Sequence, residues 1–81
     1  MNPNEIAELI TAGFENADVQ VLSDDNTHFA AIVVAEEFEG KRSIARHQLV
    51  YKTLGSLVGN EIHALSIRAL TPDELREQEG Q

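Results

Sequence analysis

The sequence predicts an α+β fold in the order α-β-β-α(α)-β-α, with a three-stranded mixed sheet and helices on one face. Three observations carry this. A turn-rich segment, Ser23-Asp24-Asp25-Asn26, separates two β-rich runs and joins them as an antiparallel hairpin. A stretch of helical spacing separates the second run from a third, and such a crossover makes its flanking strands parallel and its hand right. Thr71-Pro72-Asp73-Glu74 has the pattern of a helix start: Thr71 caps, Pro72 takes the first helical position and Glu74 completes a capping box.

The elements follow in order. Asn2 caps the first helix, Pro3 suits its first position, and Glu5 and Glu8 favour the helix dipole. Ile6, Leu9, Ile10 and Phe14 form its apolar stripe, and Gly13 with Asn16-Ala17-Asp18 marks the stop. Val19 to Leu22 is a short strand. His28-Phe29-Ala30-Ala31-Ile32-Val33-Val34 is the second, ended by Glu36 to Lys41 with a bend at Gly40. Ser43 opens the second helical region. Ile44, His47, Val50, Tyr51, Leu54 and Leu57 or Val58 keep helical spacing, and Gly55 breaks the region in two. Ile62 to Leu70 alternates as a half-buried third strand, and a short helix runs from Pro72 to about Gln78. Leu9, Ile10, Phe14, Val21, Ile32, Val50, Leu54, Leu65 and Ile67 are the predicted core.

The 81 residues fit a single domain, with 79–81 frayed. No apolar run approaches the roughly 20 residues needed to cross a bilayer. The first five residues lack the basic start and apolar core of a signal peptide. A cytoplasmic protein is the expectation. There is no cysteine, hence no disulfide and no Cys-rich zinc site. The net charge of −8 disfavours non-specific nucleic-acid binding, which draws on Lys and Arg. Yet Lys41, Arg42, Arg46 and Lys52 are four of the six basic residues, and they fall in one stretch that could form a basic face. A solvated helix start accounts for them equally well.

Two histidines are placed for chemistry. His28 begins the second strand and His63 the third. Neighbouring parallel strands start at one edge, about 5 Å apart, so both imidazoles are within reach of one ligand. Each alone reads as an ordinary surface histidine. His47, on the apolar stripe of the second helical region, reads as a buried, hydrogen-bonded core residue. Two imidazoles are too few for a structural zinc site; Asp24 or Asp25 could add oxygens. No nucleophile–base pair and no phosphate-binding glycine loop stands out, which argues against an enzyme. A [2Fe–2S] centre with two histidines on one iron and two thiolates on the other suits this donor set, with the thiolates supplied by a partner.

Several spaced segments together carry a resemblance. Thr27-His28-Phe29, Phe38-Glu39-Gly40-Lys41, Arg46-His47-Gln48-Leu49-Val50, Ile62 to Ile67 and Leu70-Thr71-Pro72 are similar to the BolA family, and the short hairpin loop is most like its bacterial acid-stress branch. The similarity runs from about Asn4 to Glu77. It implies a fold like class II KH domains, and partnership with a monothiol glutaredoxin around a shared [2Fe–2S] cluster. The glutaredoxin cysteine and a glutathione would supply the thiolates, in iron homeostasis and the stress response. His63 matches the family's C-terminal histidine ligand. Many relatives carry the second ligand inside the hairpin loop; here that stretch reads Asp24-Asp25-Asn26, and His28 is the nearest candidate. The family is also described as DNA-binding transcriptional regulators, which would place nucleic acid on the Lys41 to Lys52 face. Alone, the chain is expected to be a monomer or a weak homodimer.

Overall fold

A computed structural model describes residues 1–60, 62 and 64–79. The elements are α1 (Pro3–Ala12), β1 (Ala17–Leu22), β2 (His28–Ala35), α2 (Ser43–Leu54), β3 (Ala64–Leu70) and α3 (Pro72–Glu79), with 3-10 turns at Glu36–Phe38 and Gly55–Leu57. The sheet order is β1-β2-β3. β1 pairs antiparallel with β2, and β2 pairs parallel with β3. The predicted order and strand directions therefore stand. β1 starts two residues earlier than predicted. β3 starts at Ala64, and Ile62 instead forms an isolated bridge to Val58.

Local chemistry sets the helix ends. Asn2 Oδ1 accepts the Glu5 N–H at 2.9 Å, and Glu5 Oε1 accepts the Asn2 N–H at 3.3 Å, a reciprocal box that satisfies two orphan donors. Thr71 and Glu74 repeat it, at 3.2 Å and 2.9 Å. Gly55 ends α2 with φ of +57°, a conformation that a Cβ makes costly. Gly13, the C-cap of α1, keeps an ordinary right-handed conformation, and its lack of a side chain matters for packing: a Cβ there would collide with Thr53 of α2. The two helices thus approach closely over the sheet.

Register assigns the faces. Val21, Val19 and Ala17 pair with Ala31, Val33 and Ala35, which with Phe29 meet Leu65, Ile67 and Ala69. This inner face packs under Ile6 and Ile10 of α1 and Val50 and Leu54 of α2. Phe38, from the 3-10 turn after β2, is fully buried there and meets Phe14 edge-on at 5.4 Å. The outer face carries Leu22, His28, Ala30, Ile32, Val34, Ala64, Ser66, Arg68 and Leu70. α3 covers only one end of it, where Leu75 and Gln78 share a groove with Ile32, Val34, Arg68 and Leu70, so the expectation of helices on one face holds for α1 and α2 and is corrected for α3.

Three core expectations are corrected. Leu9 is 37% exposed, on the flank of the α1 stripe, and Ile6 takes the central place beside Ile10. Ile32 is half-buried on the outer face, paired with Gln20 and Arg68. His47 is half-buried rather than buried. Among the described residues no helix is long and apolar enough to cross a membrane.

Candidate functional site

The predicted edge forms as the topology requires. His28 is the first residue of β2, and its parallel register partner is Ala64, the first residue of β3. His63, the other predicted ligand, lies outside the described residues; it directly precedes Ala64 in the chain. Leu22, Ser23, Asp24, His28, Ala30, Ala64 and Ser66 line a shallow concavity at this end of the outer face.

The hairpin turn organises His28. Asn26 adopts a left-handed φ of +57° and lets the loop close tightly. Asp25 Oδ1 accepts the N–H groups of Thr27 and His28, both at 2.9 Å. Ser23 Oγ donates to the His28 carbonyl at 2.6 Å and accepts the Asn26 N–H at 3.0 Å. Asp25 Oδ2 lies 2.8 Å from His28 Nδ1. The His28 backbone N–H and its imidazole, with the Thr27 N–H, hold the Asp25 carboxyl well below the usual carboxylate range. The His28 side chain remains 70% exposed. The imidazole is thus fixed on one edge and open on the other.

The sequence leaves open whether Asp24 or Asp25 adds oxygen ligands. Both Asp25 oxygens are already occupied within the turn. Among the described residues no group of three or more His, Cys, Asp or Glu is placed to hold a metal ion. The chain has no cysteine, so among the described residues the donors at this edge are the His28 imidazole and the exposed Asp24 carboxylate, with no thiolate. That set fits a shared centre whose other ligands come from a partner, and it does not fit a self-contained structural site.

The basic face divides. Arg46 points inward, with its side chain 13% exposed. Its Nε–H donates to the Lys41 carbonyl at 2.8 Å, and Nη1 donates to the Ala69 carbonyl at 3.1 Å. Nη1 and Nη2 grip Glu74 at 2.6 Å and 3.1 Å, and the guanidinium lies 5.9 Å from the Phe38 ring centroid. Arg46 therefore ties the start of α2 to the end of β3 and the capping box of α3, with little donor capacity left for a phosphate. Lys41, Arg42 and Lys52 remain exposed, as do Ile44 and Tyr51 on the same helix.

The Arg46–Glu74 pair has a pH signature. Arg46 foremost, then the Thr71 N–H, lowers the Glu74 carboxyl from its ordinary 4.5 to about 2. A carboxyl depressed on folding stabilises the fold above its unfolded pKa, and that contribution fades as pH falls. Stability is expected to drop between pH 4.5 and about 2. Arg46→Met and Glu74→Gln should each flatten this part of an acid-unfolding curve followed by circular dichroism. Unchanged acid slopes in both variants would contradict the pairing.

A protein-family model described as BolA-like protein matches residues 10–74. The chain belongs to the BolA family. It is 39% identical over 75 residues to the acid stress protein IbaG of Escherichia coli, covering 91% of this chain and 88% of that one. A BolA protein homologue from Coxiella burnetii has the same fold, with a TM-score of 0.79 and 38% identity over 94% of this chain and 97% of its own. A shorter stretch of 48 residues is 48% identical to the DNA-binding transcriptional regulator BolA of Vibrio cholerae, covering 59% of this chain and 45% of that protein. The chain also spans about half, 51%, of the length of mammalian BolA-like proteins. The family resemblance and the α+β fold read from the sequence are thereby borne out.

Proposed function

We propose that this BolA-like chain is a cytoplasmic, non-enzymatic adaptor that docks on a monothiol glutaredoxin and shares a [2Fe–2S] cluster with it. One observation carries the reading. His28 stands exposed at the sheet edge, ring-anchored by Asp25, beside the β3 start that His63 precedes, in a chain without thiols. When bound, the cluster supplies the electron-carrying or transferable iron–sulfur unit. The chain's own contribution is to present the His28 imidazole, held in place by Asp25, within the shallow concavity of Leu22, Ala30, Ala64 and Ser66. The glutaredoxin cysteine and a glutathione would complete the ligand set. The test is to mix the chain with a monothiol glutaredoxin, iron, sulfide and glutathione, and record the visible spectrum. A spectrum distinct from that of the glutaredoxin alone is expected. Identical spectra, with no complex by size exclusion, would reject the proposal.

A second reading has support from the regulator named above and from the exposed Lys41, Arg42 and Lys52. On this reading the start of α2 contacts phosphates, as a KH-like fold does through the corresponding loop and helix. Affinity for duplex DNA should then fall steeply with salt, with a logarithmic slope of about −0.9 per neutralised phosphate. Lys41→Glu with Lys52→Glu should remove binding. Arg46 is left intact because its loss would disturb the fold. Binding indifferent to both salt and the double change would dismiss nucleic-acid recognition by this face.

A further inference from the structure

Asp25 does more than close the hairpin. A carboxylate only accepts hydrogen bonds, so the 2.8 Å contact between Asp25 Oδ2 and His28 Nδ1 requires the proton on Nδ1. A neutral imidazole then carries its lone pair on Nε2, the nitrogen away from the turn. We infer that Asp25 is a positioning residue that selects the His28 tautomer and ring orientation, leaving Nε2 as the outward donor to a metal. The inference rests on the proposed function only for the identity of that metal as shared iron. The tautomer assignment stands on the turn geometry by itself.

The turn explains why the carboxylate can do this. Oδ1 is pinned by two backbone N–H groups, of Thr27 and His28, and the Ser23 hydroxyl lies 3.3 Å from it. Rotation of the Asp25 side chain would break these bonds, so Oδ2 is held against the ring. Carboxylates bonded to the far nitrogen of a ligating histidine fix its tautomer and raise its basicity, and their loss commonly weakens metal binding by about 10–100-fold. Asp25 thus belongs behind the imidazole, where an oxygen ligand would have to stand in front of it.

Asp25→Asn separates this role from the turn itself. Asn Oδ1 still accepts the Thr27 and His28 N–H groups, which prevents the amide from flipping. Its Nδ2 then sits where Oδ2 was, and a donor faces Nδ1. The ring must answer with the other tautomer, Nε2–H, which has no lone pair for a metal. The readout is a long-range nitrogen–proton NMR correlation of the His28 ring in the apo chain with the imidazole neutral. The parent should be Nδ1–H, and Asp25→Asn should be Nε2–H with the Thr27 and His28 amide shifts retained. Asp25→Ala should revert to a mixed, solvent-like population. Cluster retention in the mixture with glutaredoxin should fall about 10–100-fold in Asp25→Asn. A ring tautomer equal in all three proteins would overturn the inference, whatever the cluster does. An inverted tautomer, with a cluster spectrum unaffected by both Asp25→Asn and His28→Ala, would support the tautomer assignment while rejecting His28 ligation in the proposed function.

Discussion

Phe38→Ala is expected to cost about 3–5 kcal/mol of stability, the range for truncating a buried aromatic. Phe38 is fully buried, meets Phe14 edge-on at 5.4 Å and lies under the Arg46 guanidinium. Alanine would leave a cavity where α1, the sheet and the start of α2 converge. A small domain has only about 5–15 kcal/mol in total, so this one change removes a large share. Urea unfolding should show a lower midpoint at an unchanged slope. A loss below about 1 kcal/mol would mean that the core is not organised around this ring.

The second large effect is on the mixed complex. If the proposed function holds, His63→Ala is expected to abolish or reshape the visible spectrum formed with a glutaredoxin, because the proposal gives His63 the main ligand role. His28→Ala should weaken the cluster less, since its place differs from the usual loop ligand. Both variants should keep the circular dichroism of the parent, and His63→Ala should retain part of the apo association. His47→Ala is the control: being half-buried on α2 and outside the His28 concavity, it should lower stability with little direct spectral change. Equal spectra for the parent and both single ligand variants would leave the imidazole assignment without support.

Much of the fold was legible because its signals are local. The Thr71–Glu74 box, the Asp- and Asn-rich turn and the Gly55 break each depend on residues only a few positions apart. The crossover rule then fixed the direction of β3. What escaped depends on distant partners. Ile32 sits in the run Ala30-Ala31-Ile32-Val33-Val34, which lacks alternation, so only its pairing with Gln20 and Arg68 reveals its face. Leu9 and Ile6 share one stripe, and periodicity does not say which flank meets the sheet. Phe38 is hidden among Glu36, Glu37 and Glu39, and a 3-10 turn rotates it inward. Arg46 reads as part of a basic run until Glu74, 28 residues away, arrives beside it.

Of the candidate site, the place of His28 at the sheet edge was legible, while His63 lies outside the described residues. Strand order brought the starts of β2 and β3 together, as the His28–Ala64 register shows. The role of Asp25 was not, because composition alone makes an Asp in a turn equally a cap, an oxygen ligand or an orienting group. The distances to Thr27, His28 and Nδ1 decide among them.

The most direct measurement uses nitrogen itself. The chain is prepared with its histidine rings labelled with nitrogen-15, mixed with an unlabelled monothiol glutaredoxin, glutathione, iron and sulfide, and reduced for pulsed electron paramagnetic resonance. Strong hyperfine coupling to the labelled nitrogen is the result expected if this chain donates an imidazole to the cluster. A cluster signal that forms in the mixture and shows no coupling to the label would contradict it.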